Sequence, residues 1–272
     1  MTINISAHIE RHKEYVRIVE GSEYAVLFVH GIVGTPRHFD FLIDVVPSTV
    51  SIYNMLLDGH GYGVRDFSRT SLKKWETQFE QVVEKLLLTH KKLFIVAHSM
   101  GTLFAIEQAI KHKEITDLFL IASPLRISVS LPLYEVVFKI FFDSIPPHDA
   151  RTLSAKGCYG IAHDFNLFKY FGWIPRFIDL FVKVHKTNKI IGQLNTRTSV
   201  YQSYADEVVS RKTFKMIEDI PCAELHILKH STHFYYPDGD PAILRAELAR
   251  VLGAALDETE KTQSASKTQS NG

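Results

Sequence analysis

Cysteine is almost missing from this chain. Cys158 and Cys222 are the only two in 272 residues, far apart and without metal-ligand spacing. They exclude a disulfide framework, and a reduced intracellular thiol pair is the default reading. Excess charge is missing as well: the formal net charge is +1, which leaves no electrostatic footprint for nucleic acid or an anionic surface. Long apolar runs are also lacking. Residues 1–14 have no apolar core of a secretory signal. The best candidate for a membrane span is interrupted by Glu135 and Lys139, too early to cross a bilayer. The chain is therefore expected to be cytoplasmic, without stable membrane insertion. What remains is ordinary for a folded protein, 46% hydrophobic and 22% charged, and long enough for one large α/β domain or two small ones.

The hydrophobic pattern predicts an α/β sheet protein. Residues 15–19 alternate as a half-exposed antiparallel strand would, and 24–29 form a continuous apolar run, as in a strand buried on both faces. That run empties into the glycine-containing loop His30-Gly31-Ile32-Val33-Gly34-Thr35-Pro36, with a helix expected over 39–46. Residues 50–57 read as another strand, ending in Asp58-Gly59-His60-Gly61. Trp75, Phe79, Val82, Val83, Leu86 and Leu87 then recur at helical spacing behind Thr70 or Ser71 as N-cap. Strands at 93–98 and 118–122 flank a further helix. This rhythm means a mostly parallel central sheet with helices on both faces.

The rhythm breaks over residues 124–189. This stretch is rich in aromatics, among them Phe138, Phe141, Phe142, Phe165, Tyr170, Trp173 and Phe177, and is cut by Pro132, Pro146, Pro147 and Pro175. It is too long for a plain connection and too apolar for a disordered linker, so it reads as a helical cap inserted over the active edge of the sheet. Strands resume near 199–204 and 224–229, with helices expected over 208–217 and 242–256. Residues 1–123 and 190–256 would form the core, and the polar, small residues of 257–272 a disordered tail.

The stretch that organises the chemistry is Ala97-His98-Ser99-Met100-Gly101, at the end of an apolar strand and the start of a helix. A serine hydroxyl becomes a useful nucleophile when a sharp turn projects it and a base can reach it. In an open parallel sheet, ligands gather beyond the carboxyl ends of the strands. Two other strand ends supply partners: His233 as the base, and Asp206 to hold the imidazole's tautomer. His230 competes with His233 but leaves its strand almost directly. Glu207 is expected to begin a helix and point elsewhere, and Asp238 and Asp240 to serve as turn and cap residues. Ile32 N–H and Met100 N–H are the natural donors for an oxyanion. His30, His60 and His98 are read as shaping residues.

These segments, with Ala205-Asp206-Glu207-Val208-Val209 and Ser231-Thr232-His233, resemble the α/β-hydrolase superfamily, and more narrowly its bacterial carboxylesterase and monoacylglycerol-lipase-like group. Ala97 stands where glycine is commoner in that family, and no glycine precedes His233. The resemblance implies serine-ester chemistry with no cofactor or metal. The expectation is thus a hydrolase of small-molecule esters bearing an apolar acyl or aryl group. A thioesterase or monoacylglycerol lipase would use the same residues. A non-catalytic ligand receptor on the same fold is the reading from another class. Transient surface contact through the cap is compatible with its aromatic content. Oligomeric state and acyl length are not encoded legibly.

Overall fold

The computed structural model describes residues 5–237 and 239–270, with Ile5 and 258–270 described by their backbone alone. Asp238, one of the acids weighed above, and residues 271–272 lie outside the described residues. The elements in chain order begin with α1 (Ile5–His12), β1 (Tyr15–Arg17), β2 (Tyr24–Val29), α2 (Asp40–Ile43), β3 (Ser51–Met55), α3 (Val64–Arg69) and α4 (Leu72–Leu87). Next come β4 (Lys92–His98), α5 (Met100–Lys111), β5 (Ile115–Ile121), α6 (Leu131–Phe141), α7 (Ala150–Cys158) and α8 (Ile174–Ile190). The chain closes with β6 (Arg197–Ser203), α9 (Lys212–Glu218), β7 (Ala223–Leu228) and α10 (Asp240–Ser270).

The strands form one seven-stranded sheet in the order β1-β3-β2-β4-β5-β6-β7. All pairs are parallel except the edge pair β1–β3. β2 is buried along its whole length, which explains its unbroken apolar sequence. Its side chains alternate between two cores. Ala25, Leu27 and Val29 pack with Trp75 and Phe79 of α4 and Leu103 of α5. Tyr24, Val26 and Phe28 pack with Leu42 of α2 and Leu244 and Leu248 of α10. Helices therefore cover both faces, as the strand–helix rhythm requires.

Two expectations about helices are corrected. The segment 39–46 is a 3-10 turn over Pro36–Phe39 followed by the short α2, because the amides of Val45 and Val46 bond three residues back and tighten the turn before Pro47. No helix begins at Val208. The amides of Val208 and Val209 donate to Asp206 Oδ1, both at 2.8 Å. The backbone there runs extended against residues 126–130, and α9 starts only at Lys212. The stretch from 257 continues α10 as far as Ser270. Its Glu, Lys, Gln and Ala are good helix formers, and extending an existing helix avoids the cost of nucleation.

Between β5 and β6 the described chain is helical, with α6, α7, a 3-10 segment over Leu167–Trp173, and α8. α8 is fastened to the sheet's own helices through Lys183, whose side chain is only 1% exposed. Its ammonium bonds Glu76 at 2.9 Å and also Glu107, and it lies 5.0 Å from the centre of the Phe104 ring. Asp179 accepts from the amide of Leu72, and Trp173 Nε1 donates to Val64 O. Among the described residues no helix is long and apolar enough to cross a membrane.

Candidate active site

β4 runs into α5 through Ser99, whose backbone sits at φ 51°, ψ −123°. A non-glycine residue there is strained, and the strain aims the side chain out of the sheet. The turn needs Gly101. A Cβ at that position would lie 2.4 Å from Val29 O and 2.8 Å from His30 O, so the start of α5 presses directly on the end of β2. Ala97 is fully buried in the core, and the sheet accommodates its single methyl where glycine is commoner.

Three strand ends converge on Ser99. Its Oγ lies 2.9 Å from His233 Nε2, and His233 Nδ1 lies 2.9 Å from Asp206 Oδ2. The imidazole and this carboxylate are 3% and 2% exposed. The two amides on Asp206 Oδ1 fix the carboxylate's orientation, which leaves Oδ2 for the imidazole. Burial pushes the His233 pKa down. The charge and hydrogen bond of Asp206, with the further charge of Glu207, more than offset that, so it stands above the ordinary histidine value.

The loop carrying His233 is tied at almost every residue. Ser231 Oγ donates to Asp240 Oδ2 at 2.6 Å, and Thr232 N–H donates to Tyr235 O at 2.8 Å. His233 N–H donates to Glu207 Oε2 at 3.0 Å, and Ser154 Oγ donates to Phe234 O at 2.7 Å. Glu207 is therefore buried in the site, contrary to the expectation that it would point away. With no helix at 207, the extended backbone turns its side chain back toward the histidine. His230 is exposed and takes no part. Asp240 begins α10, as a cap-like residue should, and at the same time anchors the histidine loop through Ser231.

The shaping histidines have definite tasks. His30 Nε2 accepts from Leu57 N–H at 3.0 Å, and His60 Nε2 accepts from Val33 N–H at 3.1 Å. An imidazole can accept in this way only when neutral. Burial lowers His30 well below its ordinary value and takes His60 down to about 4. His98 is likewise held well below, and its ring stacks at 3.7 Å on His38, which burial lowers to about 3. His38 was not legible as part of the site; it sits in the 3-10 turn just past the Gly-Thr-Pro loop.

Residues 31–34 lie against Ser99. A Cβ on Gly31 would come within 2.7 Å of Ser99 Cβ, so only glycine lets the loop approach this closely. Neither Ile32 N–H nor Met100 N–H has an acceptor among the described residues. A cavity of about 600 Å³ opens beside Ser99 and His233. Leu133, Val137 and Ile140 of α6 and Phe177, Leu180 and Phe181 of α8 wall it. Its polar atoms are few. Tyr159 and His163 line it, and His163 Nε2 is buried without a partner among the described residues. Among the described residues, no group of three or more His, Cys, Asp or Glu side chains is arranged to hold a metal ion.

Comparison with known proteins gives the following. Residues 26–256 match the model of the alpha/beta hydrolase family. No curated protein matches the chain. Among solved structures, one described under LipS and LipT, two metagenome-derived lipolytic enzymes, superposes with a TM-score of 0.65 at 20% identity, over 89% of this chain and 98% of that one. The monoacylglycerol lipase of Paleococcus ferrophilus gives 0.62 at 17% identity, over 88% and 98%. A thioesterase domain from the curacin biosynthetic pathway gives 0.58 at 16%, over 87% and 99%. At these identities the likeness concerns the fold alone.

Proposed function

The chain belongs to the alpha/beta hydrolase family, and we propose that it is a serine hydrolase cleaving carboxylic esters with an apolar acyl or aryl group. The observation that carries this reading is the unbroken relay Ser99 Oγ–His233–Asp206, with both contacts at 2.9 Å, opening into an apolar cavity.

The geometry supports the following chemistry. Ser99 Oγ attacks the ester carbonyl carbon as His233 Nε2 takes its proton. The negative charge that develops on the carbonyl oxygen is met by Ile32 N–H and Met100 N–H. Collapse breaks the bond to the alcohol, which leaves with the proton from His233, and the acyl group stays on Ser99. Water then attacks the acyl-enzyme, gives one proton to His233, and Ser99 recovers it as the acid departs. Asp206 keeps the imidazole in the tautomer with Nδ1–H and stabilises its cation.

Residues 124–189 act as a cap over this site, and the cavity they wall favours an apolar substrate body. A thioester or an acylglycerol would meet the same groups, and the thioesterase and monoacylglycerol lipase among the similar folds support keeping both. The cap also supports transient contact with a lipid surface by a protein that works in the cytoplasm. A receptor on the same fold would not need the full relay.

The test is labelling by a fluorophosphonate probe, followed by a panel of p-nitrophenyl esters of rising chain length and matching acyl-thioesters. Covalent labelling that is lost in Ser99→Ala supports the enzyme; an unlabelled, folded wild type would leave the receptor.

A further inference from the structure

Asp206 and Glu207 are neighbours in the chain, yet both end on the same histidine. Asp206 takes the ring at Nδ1, and Glu207 takes the main-chain amide. The side chain of Glu207 is only 4% exposed, and its second oxygen faces Arg151 Nη2 at 3.0 Å. A carboxylate this deep is costly unless it is paired, and its partner comes from outside the sheet. Arg151 lies in the first turn of α7.

The same face of α7 makes a second contact with the histidine loop, because Ser154 is three residues on and donates to Phe234 O. α7 is in turn joined to α6, since Lys139 Nζ bonds Asp149, the N-cap of α7, at 2.9 Å. α6 is a wall of the cavity. A continuous line of contacts thus runs from the substrate cavity through α6 and α7 to the main chain of His233.

We propose that Glu207 and Arg151 are a positioning pair: Glu207 fixes the backbone of His233, and Arg151 ties that fixing point to the helices that enclose the substrate. This rests on the reading of His233 as the general base. The charged and titratable groups that act on its ring are Asp206 and Glu207, with Arg151 paired to Glu207, and the neutral His98 and His38. Each member of the pair should then move the basicity of His233 in its own direction. Without the charge of Glu207 the imidazolium loses one source of stabilisation. Without Arg151 the carboxylate acts on it undiminished.

The experiment uses the full chain as wild type, Glu207→Gln, Arg151→Met, the double variant and Arg151→Lys. The pH dependence of kcat/KM for a p-nitrophenyl ester is measured, and the His233 imidazole is titrated by NMR. Glu207→Gln should move the acidic limb down by about half a pH unit or more, and Arg151→Met should move it up. Both should lower kcat more than they raise KM. The double variant loses both charges, so its limb should lie between those of the single variants, while its kcat should be no lower than that of Glu207→Gln because Arg151 positions through Glu207; Arg151→Lys should return the limb toward wild type. Folded single variants whose limbs coincide with wild type, or losses in kcat that simply multiply in the double variant, overturn the proposal. The NMR titration needs no turnover. Shifts as stated in a protein that neither labels nor hydrolyses would uphold the pair and overturn the esterase reading; an active, labelled enzyme with unmoved titrations does the reverse.

Discussion

His98 Nε2 donates to the main-chain oxygen of His233 at 3.0 Å, so one buried histidine holds the backbone of another. His98 belongs to the Ser99 turn, and His233 lies 134 residues from that serine in sequence. The bond therefore locks two strand ends together. His30 and His60 instead accept from loop amides, so these two imidazoles in the floor of the site must stay neutral.

That construction predicts acid lability. These rings bind protons in the unfolded chain near the ordinary value of 6.5 and resist them when folded. The unfolded state therefore binds more protons, and stability is fully present above 6.5 and lost as pH falls through the window beneath it. For His60 alone, a folded value of about 4 against 6.5 corresponds to on the order of 3 kcal/mol lost by pH 4. Thermal melting between pH 8 and pH 4 should show a Tm that is flat above 7 and falls steeply below 6. A Tm that stays level to pH 4.5 would contradict it.

Asp206→Asn should keep the fold and lose the rate. The amide oxygen of asparagine can still accept from Val208 and Val209, which preserves the turn. Its NH₂ would face His233 Nδ1 and favour the wrong tautomer. A loss of about 10⁴ in kcat is expected, the size of the analogous change in a serine protease. Circular dichroism alongside turnover checks both halves. Full activity in this variant would remove Asp206 from the mechanism.

Much of this arrangement could be read from the chain itself. Buried strands such as β2 and β4 carry their signature in composition, and Ser99, Asp206 and His233 each follow a strand of the same parallel run, so topology brings them together. Glu207 could not be assigned, because its direction depends on whether the backbone at 208 is helical. The side chain of Asp206 decided that by capturing two amides. Arg151 carries no local signal: its partner is 56 residues away, and the contact exists only once α7 has settled on the histidine loop.

Lys183 offers a test of how the helices between β5 and β6 are held. Its ammonium is buried, whereas Glu76 and Glu107 keep 27% of their side chains in solvent, and Glu107 also has Lys111 at 3.2 Å. Removing the lysine therefore leaves carboxylates that water can serve, while removing both carboxylates strands a buried cation. Glu76→Gln/Glu107→Gln should destabilise by about 3 kcal/mol or more, the range for an uncompensated buried charge. Lys183→Met, which keeps the apolar stem over Phe104, should cost clearly less. Urea denaturation of the three proteins orders them, and the reverse order would refute the argument.

The outer surface of the same helices bears on where the substrate comes from. Sixteen of the twenty-three exposed large hydrophobic side chains among the described residues fall between Val129 and Val182, and eleven of these do not line the cavity. α6 faces the cavity with Leu133, Val137 and Ile140. Its other side gives Leu131 and Phe138 to solvent at 84% and 61% exposure. A helix apolar on both sides is out of place in water, and a patch this concentrated marks an interaction surface. If that surface rests briefly on lipid, Leu131→Ser/Phe138→Ser should leave hydrolysis of a soluble short-chain ester unchanged. Turnover of a long-chain ester presented in phosphatidylcholine vesicles should fall on the order of a hundredfold, as about 1.5 kcal/mol of apolar burial is lost at each of the two side chains. Flotation with the same vesicles should carry part of the wild type upward and little of the double variant. Equal loss on both substrates would instead place the two side chains in the architecture of the cavity and end the case for lipid contact.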